Sequence, residues 1–155
     1  MYIKLKGEFA AEESVGDMKI YESFPHPSDI GLTIYGDTLE QLFEHAAFAM
    51  FDNLCNLEQV KESKMVKVAV HGDDREELLV NFLNELLYLQ ATKGWLFRRF
   101  EVLKLAETTV KARAWGEPYN METHELTREI KSATYHDIHI REENGTWRVD
   151  VVFDV

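Results

Sequence analysis

The chain has 155 residues, of which 45% are hydrophobic, and its 28 acidic and 17 basic residues give a net charge of −11. This length and apolar content predict one domain with a single buried core, whereas the negative charge disfavours direct, tight binding to nucleic acid or to anionic membranes. The only cysteine, Cys55, excludes an intramolecular disulfide and lies in an apolar helical pattern, where a buried thiol is expected.

Residues 1–17 are expected to form a mobile N-terminal extension, and residues 18–155 a single domain. The extension has no long apolar run, which argues against a signal peptide. No segment of the sequence approaches the length needed to span a membrane. We therefore expect a cytoplasmic protein.

Alternating apolar residues predict a strand over 18–24 and a second over 30–35, separated by the turn-like stretch 26–29. A helix over about 39–54 follows, because Thr38 suits the N-cap position and Gln41 stands three residues later. Its apolar residues recur at helical spacing and indicate a core-facing stripe: Leu39, Leu42, Phe43, Ala46, Met50, Phe51 and Leu54.

A strand over 65–70 precedes a second helix over 76–93, which Asp73 or Asp74 caps and Gly94 ends. Strands over 96–105 and 108–115 come next, and the sequence 116–118, Gly-Glu-Pro, is expected to end the second of them. This order of elements predicts an α+β fold in which two amphipathic helices cover a mostly antiparallel sheet. The apolar stripe of the second helix is Leu78, Leu79, Phe82, Leu83, Leu86 and Leu87.

Asn144-Gly145 lies between two extended runs and predicts a C-terminal β-hairpin whose two-residue turn has positive φ angles. On one face of this hairpin every residue except His136 is apolar, so we expect that face to be buried. His136 is then expected to be a hydrogen-bonded core histidine. The register that follows from this turn places three pairs on the buried face: Ile140 with Val149, Ile138 with Val151, and His136 with Phe153.

Two anionic groups, the Asp154 side chain and the main-chain carboxylate of Val155, lie together at the end of the last predicted strand. Oxygen ligands without thiolate or imidazole favour hard cations such as Ca²⁺, Mg²⁺ or Mn²⁺. No Gly-x-Ser-x-Gly elbow, phosphate-binding glycine loop or Cys/His zinc spacing occurs, so no catalytic residue is expected. Taken alone, Asp29 suits a turn and Lys131 a solvated surface position.

A series of short motifs runs in order from residue 18 to the last residue. The first motifs are Tyr21-Glu22, His26-x-x-Asp29-x-Gly31 and Gly36-x-Thr38-Leu39-Glu40-x-Leu42-Phe43-Glu44. The later motifs are Glu76-Glu77-Leu78-Leu79-Val80, Asn84-Glu85-Leu86-Leu87-Tyr88, Gly116-Glu117-Pro118 with His124, Glu129-Ile130-Lys131, Thr134-Tyr135-His136 and Phe153-Asp154-Val155. In this order they resemble the archease family, from which the chain departs at Pro27-Ser28 and Ser132-Ala133.

The resemblance implies a protein cofactor rather than an enzyme. Archeases assist the RtcB-type, GTP-dependent RNA ligase of tRNA splicing: they promote guanylylation of the ligase's active-site histidine, enable multiple turnover and broaden the nucleotides that the ligase uses. This role implies contact with tRNA only through the ligase.

The resemblance also implies functional positions. The family's metal-binding residues fall on Asp29, Asp154 and Val155, with calcium expected before magnesium or manganese. Its further functional residue falls on Lys131, which we interpret as a contact to the ligase or its nucleotide. We add His26 and His136 as supporting residues of this site.

Two other functions remain compatible with the residues themselves. One is a small metal-dependent phosphoester hydrolase that uses Asp29 and Asp154 as ligands and His136 as base, although no convincing buried acid/base pair supports it. The other is a general chaperone or scaffold protein that binds clients through an exposed apolar patch.

Overall fold

A computed structural model describes residues 14–15 and 18–155. This part of the chain contains two α-helices, α1 (Leu39–Leu54) and α2 (Arg75–Lys93), and a short 3-10 helix (Leu57–Gln59). Its strands are β1 (Ser14–Val15), β2 (Met18–Lys19), β3 (Tyr21–Phe24), β4 (Ile30–Gly36), β5 (Lys64–His71), β6 (Trp95–Leu105), β7 (Thr109–Pro118), β8 (Ser132–Ala133), β9 (Arg141–Glu143) and β10 (Thr146–Asp154).

The first sheet is antiparallel and is built around the pairing of β4 with β10. Its strand order is β3-β4-β10-β8, and β9 pairs with the other end of β10 on the same side as β8. β4 and β10 pair along their length, from Ile30 opposite Phe153 to Gly36 opposite Trp147. Every residue of β4 except Tyr35 is buried, because side chains on both sides of this strand are covered.

The second sheet is also antiparallel, with β7 between β5 and β6. Its inner face carries buried residues that join the same core as the first sheet, including Val68, Val110 and Ala114. Helix α1 packs against β4 of the first sheet and β6 of the second, while α2 packs against β5 and β8. The chain is therefore an α+β fold in which two helices share one core with antiparallel sheets, as the sequence predicts.

Both helices begin at a predicted N-cap residue, and α2 also ends at its predicted glycine. The Thr38 hydroxyl accepts a hydrogen bond from the Gln41 N–H at 3.0 Å, and the Asp74 carboxylate accepts one from the Glu77 N–H at 2.8 Å. Helix α2 ends at Gly94, whose φ of 75° is a left-handed conformation that glycine adopts without steric cost. The predicted apolar stripes of both helices are in the core, with Leu39 partly buried at the edge.

The C-terminal hairpin forms, with its turn at the predicted place. Asn144 and Gly145 have φ angles of 56° and 81°, and the register pairs Glu143 with Thr146, Glu142 with Trp147 and Arg141 with Arg148. This turn geometry matches the right-handed twist of the flanking strands.

The predicted register is wrong beyond Arg141. Ala133, not His136, is opposite Phe153, because residues 134–140 leave the strand and turn at Asp137, which has a φ of 48°. The Ile140 N–H is bonded to the Glu76 carboxylate at 2.9 Å rather than to a strand partner. His136 is therefore exposed, and its assignment as a core histidine is wrong, as is the pairing of Ile138 with Val151.

Strand β7 continues through Gly116 to Pro118, so the prediction that these residues end the strand is wrong. A Cβ atom on residue 116 would lie 1.8 Å from the Leu96 carbonyl oxygen, which shows that glycine permits the close approach of β6. Pro118 pairs with Trp95 beyond the end of β5, where its missing N–H is not needed by that neighbour. The predicted strand over 18–24 is likewise divided at Ile20 into β2 and β3.

The predicted mobile extension falls mostly outside the described residues. Within it, Ser14 and Val15 pair antiparallel with Lys19 and Met18, and the remaining residues of 1–17 are not part of the structural description. None of the described helices combines the length and apolar character that crossing a membrane would require.

Gly116→Ala is expected to lower the free energy of unfolding by about 1–3 kcal/mol, because the new methyl group forces backbone atoms apart in a packed sheet. Urea denaturation followed by circular dichroism measures this change. Gly145→Asn is the matched control, since its site has no neighbouring atom within 4 Å and asparagine tolerates a left-handed φ, so the loss there should be smaller. Equal stability of the Gly116→Ala variant and the wild type would contradict this account of the strand.

Candidate functional site

The end of the first sheet brings Asp29 and Asp154 to the same edge. Ile30 and Phe153 are strand partners, Asp29 directly precedes Ile30, and Asp154 directly follows Phe153. Ile30 and Phe153 are buried, whereas Asp154 and Val155 are exposed and the Asp29 side chain is about a third accessible. The sheet thus buries its apolar pair and leaves the flanking carboxylates at the surface.

His26 and His136 lie beside this carboxylate edge. The His26 Nδ1 atom is 3.5 Å from Asp29 Oδ2, and this buried nitrogen makes no hydrogen bond with any residue that the structure describes. The two imidazole rings meet edge to face with their centroids 5.4 Å apart. His136 Nε2 is 3.2 Å from Asp137 Oδ2, and the His136 side chain is 58% exposed.

Lys131 is closer to Asp154 than the sequence predicts. The predicted register separates the two residues by four positions along a strand, about 13 Å. In the structure the Lys131 N–H donates a hydrogen bond to the Asp154 carbonyl oxygen at 2.8 Å, because β8 pairs with β10 three residues earlier than predicted. Lys131 is exposed, and its side chain forms no ion pair with any described residue.

Lys131 also lines a groove of about 590 Å³ between the ends of the two helices and residues 126–131. Five of its lining residues are apolar, and Arg128, Glu129 and Lys131 provide its charged groups. Its lining residues are Leu54, Leu87, Gln90, Ala91, Leu126, Arg128, Glu129, Ile130 and Lys131. The Lys131 backbone therefore reaches the carboxylate edge while the same residue borders the groove.

Asn84 is a positioning residue to which the sequence assigned no role. From α2 its amide accepts a hydrogen bond from the Ala133 N–H at 2.7 Å and donates one to the Ala133 carbonyl at 3.2 Å. On the next residue, the Thr134 N–H and hydroxyl both bond to the Val152 carbonyl, at 3.0 and 2.9 Å. These bonds fix the short strand β8 and hence the position of Lys131. In the sequence, the one sign of them is that Asn84 is a polar residue among the apolar residues of α2.

His124, Glu117 and Asn120 form a separate polar cluster with a structural role. His124 Nδ1 accepts a hydrogen bond from the Asn120 N–H at 2.9 Å, which places the ring proton on Nε2, where it faces Glu117 Oε2 at 2.8 Å. The Lys61 N–H, followed by the His124 hydrogen bond, holds the pKa of Glu117 below its ordinary value. Each polar atom of the buried His124 ring has a partner within the chain, so this cluster stabilises the loop after β7.

The donors at the carboxylate edge suit a hard cation in chemistry. Asp29, Asp154 and the Val155 carboxylate offer oxygen atoms alone, the ligands that Ca²⁺, Mg²⁺ and Mn²⁺ prefer. Within the ranges 14–15 and 18–155, no three or more His, Cys, Asp or Glu residues are grouped as a metal site. The predicted set contains only two such side chains, because its third ligand is a main-chain carboxylate.

These features define a small α+β protein with a carboxylate-bearing sheet edge beside an exposed lysine. The chain belongs to the archease protein family (MTH1598/TM1083), whose sequence profile matches residues 21–155. Residues 1–20 lie outside that match.

Curated relatives and solved structures agree with this membership. Protein archease of Pyrococcus abyssi is 42% identical over 143 residues, which cover 89% of this chain and 100% of the relative. Protein archease of Methanosarcina mazei is 38% identical over 141 residues, which cover 88% of this chain and 97% of the relative. The solution structure of Methanobacterium thermoautotrophicum protein 1598 is 34% identical with a TM-score of 0.77, covering 89% of this chain and 100% of that chain. A Thermotoga maritima crystal structure, described as an archease and possible chaperone, shares the fold at 21% identity and a TM-score of 0.58, covering 85% and 94%.

Asn84→Ala is expected to lower the free energy of unfolding by about 1–3 kcal/mol, because it leaves two partly buried backbone groups of Ala133 without their partner. Amide hydrogen exchange at Ala133 should become faster. Asn81→Ala is the matched control on the same helix, since its bonds to the His71 carbonyl and the Tyr135 hydroxyl are exposed. Equal exchange rates at Ala133 in both variants would show that Asn84 does not hold β8.

Proposed function

We propose that this chain is an accessory protein of an RtcB-type, GTP-dependent RNA ligase that joins tRNA exon halves. It promotes guanylylation of the ligase's active-site histidine, enables multiple turnover and broadens nucleotide use. Membership of the archease family over residues 21–155 supports this role. The observation that carries it is the pairing of Ile30 with Phe153, which puts Asp29 and Asp154 at one sheet edge next to Lys131.

We assign Asp29, Asp154 and the Val155 carboxylate as ligands of a divalent cation, with calcium first and magnesium or manganese as alternatives. The neighbouring positions of the two aspartates support this assignment, because carboxylates that converge repel one another unless a cation neutralises them. The buried His26 Nδ1 atom faces Asp29 at 3.5 Å and has no hydrogen bond within the described part of the chain, which agrees with a further polar group at this edge. When bound, the cation supplies a fixed positive charge at a surface that is otherwise anionic.

Each residue of the edge has a separate part in this function. Asp29 and Asp154 hold the cation, His26 and His136 flank it as supporting residues, and Lys131 contacts the ligase or its nucleotide. The exposed Lys131 ammonium, which has no ion-pair partner among residues 14–15 and 18–155, is suited to a phosphate or carboxylate of the partner. In this proposal the ligase, and not this chain, becomes covalently guanylylated. Both proteins act in the cytoplasm.

The alternative functions have weaker support. As the base of a hydrolase, His136 has an exposed ring that faces the Asp137 carboxylate rather than a buried acid/base pair. The Thermotoga maritima relative is described as a possible chaperone, but general chaperone activity would extend to clients unrelated to the ligase. Testing unrelated aggregating proteins beside the ligase separates that activity from specific activation.

The deciding experiment measures RNA ligation per ligase molecule, with and without this chain, using radiolabelled GTP to follow guanylylation. We expect about one product per ligase without the chain and many with it, with the label on the ligase and none on this protein. Asp29→Asn and Asp154→Asn should abolish the stimulation while leaving the circular dichroism spectrum unchanged, because both carboxylates lie outside the core. A glycine added after Val155 should do the same, since it displaces the carboxylate and changes no side chain.

Asp137→Asn is the matched control, because it removes an exposed carboxylate near His136 that is not a proposed ligand. Calcium titration calorimetry on the chain alone tests the metal site without the ligase. If the wild-type chain leaves ligase turnover unchanged, the proposed function is wrong. If it stimulates and the Asp154→Asn and glycine-extended chains stimulate equally, only the proposed site is wrong.

Lys131→Ala is expected to reduce stimulation by about tenfold to a hundredfold, because a hydrogen bond to a charged partner contributes about 1.5–3 kcal/mol. Calcium binding should persist, since the backbone N–H of residue 131, which bonds to Asp154, remains. Lys93→Ala is the control for removal of an exposed lysine at the end of α2. Loss of calcium binding in the Lys131→Ala variant would show that Lys131 acts on the metal site and not on the partner.

A further inference from the structure

The outer face of the second sheet has a charge opposite to that of the chain as a whole. Strand alternation turns a set of cations outward on β5, β6 and β7, and two carboxylates, Glu101 on β6 and Glu117 near the end of β7, share this side of the sheet. The cations of this basic face are Lys67, Arg99, Lys104, Lys111 and Arg113. Because the whole chain has a net charge of −11, the rest of the molecule is still more acidic than that value.

Like charges are direct strand partners on the basic face. Lys67 is opposite Arg113, and Lys104 is opposite Lys111, an arrangement that destabilises a sheet. Carboxylates compensate only in part, with Glu101 3.7 Å from Arg113 and Glu62 2.8 Å from Arg99. The side chains of the three lysines form no ion pair with a described residue. A polyanion bound across the face would relieve this repulsion.

A row of stacking groups lies next to the cations. Met65, Trp115 and Arg99 are neighbours across the three strands. The Arg99 guanidinium carbon lies over the Trp115 ring, 3.6 Å from the ring centroid, and Met65 is 41% exposed. Unpaired bases stack on arginine planes and on aromatic rings, whereas an acidic peptide gains nothing from such a platform.

We propose that the basic face binds single-stranded RNA, with Lys67, Lys104 and Lys111 on the phosphates and the Met65–Trp115–Arg99 row beneath the bases. The acidic remainder of the chain keeps the affinity of the free protein low and strongly dependent on salt. A partner that holds RNA beside this face raises its effective concentration. The binding is a property of this chain alone, so it stands or falls independently of the proposed action on the ligase.

The test is fluorescence anisotropy of a labelled single-stranded RNA of about 20 nucleotides, long enough for one binding surface. Affinity is measured at several salt concentrations starting from about 50 mM. The double variant Lys67→Gln, Lys111→Gln should bind RNA about tenfold or more weakly at low salt. Its slope of log affinity against log salt should be smaller by about 1.4, because each lost phosphate contact lowers that slope by about 0.7. Lys93→Gln with Arg128→Gln is the matched control, since it removes the same charge from exposed positions outside the basic face.

The wild-type affinity should exceed that of the Lys67→Gln, Lys111→Gln chain and equal that of the control chain. Equal weakening in both double variants would show that net charge alone governs binding and would overturn the proposal. Absence of wild-type binding at about 50 mM salt would overturn it as well. Polyglutamate of matched charge is the competitor: if it displaces the RNA as well as unlabelled RNA does, the face binds acidic protein and the assignment to RNA is wrong.

Discussion

The antiparallel pairing of β4 with β10 is the constraint on which the other features depend. It joins parts of the chain as far apart as Thr33 and Asp150, whose side chains share a hydrogen bond of 2.7 Å across 117 positions. Its side chains enter the core that both helices share. A slip of one residue in this pairing would exchange the two faces of β10. Asp150 would then turn into the core and Phe153 would become exposed. The same register ends at Ile30 and Phe153, so the stability of the core and the position of Asp29 and Asp154 have one cause.

Two buried histidines have hydrogen-bond partners within the chain and contribute to the stability of the fold. His45 is buried with Nδ1 2.6 Å from the Tyr35 carbonyl, and burial lowers the pKa of its imidazole. His124 is likewise satisfied by Asn120 and Glu117. Buried polar groups of this kind stabilise the fold because leaving them unpaired is costly. Asp154 and Lys131, by contrast, are exposed where the first sheet ends, and in the proposed function they act on a ligand or a partner.

The two proposed binding surfaces lie on different sheets and have opposite charge. The end of the first sheet is anionic and offers oxygen ligands, while the outer face of the second sheet is cationic and offers stacking groups. The proposed role beside an RNA ligase has use for both, since one surface is proposed for a cation and the other for a polyanion.

Local signals in the sequence determined the elements. Thr38, Asp74 and Gly94 mark the helix ends, the apolar stripes mark the buried helix faces, and Asn144-Gly145 marks the turn of the hairpin. Each of these signals acts between residues close together in the chain, where spacing alone fixes the geometry. Asp29, Asp154 and Lys131 were identified by resemblance to a family, and the structure adds that Asp29 flanks Ile30 at the end of the sheet and Lys131 is bonded to the Asp154 backbone.

Contacts between distant segments were decided only by the tertiary structure. The hairpin register changes after Arg141 because the Asn84 side chain holds Ala133 and the Glu76 side chain holds Ile140, and both come from α2. Gly116 is required by the carbonyl of Leu96 on a neighbouring strand, not by a turn of its own. The lysines and arginines of the basic face are scattered through three strands in the sequence, and strand pairing alone assembles them. Periodicity predicts which face of an element is buried, but it contains no information about which distant side chain will satisfy a backbone group.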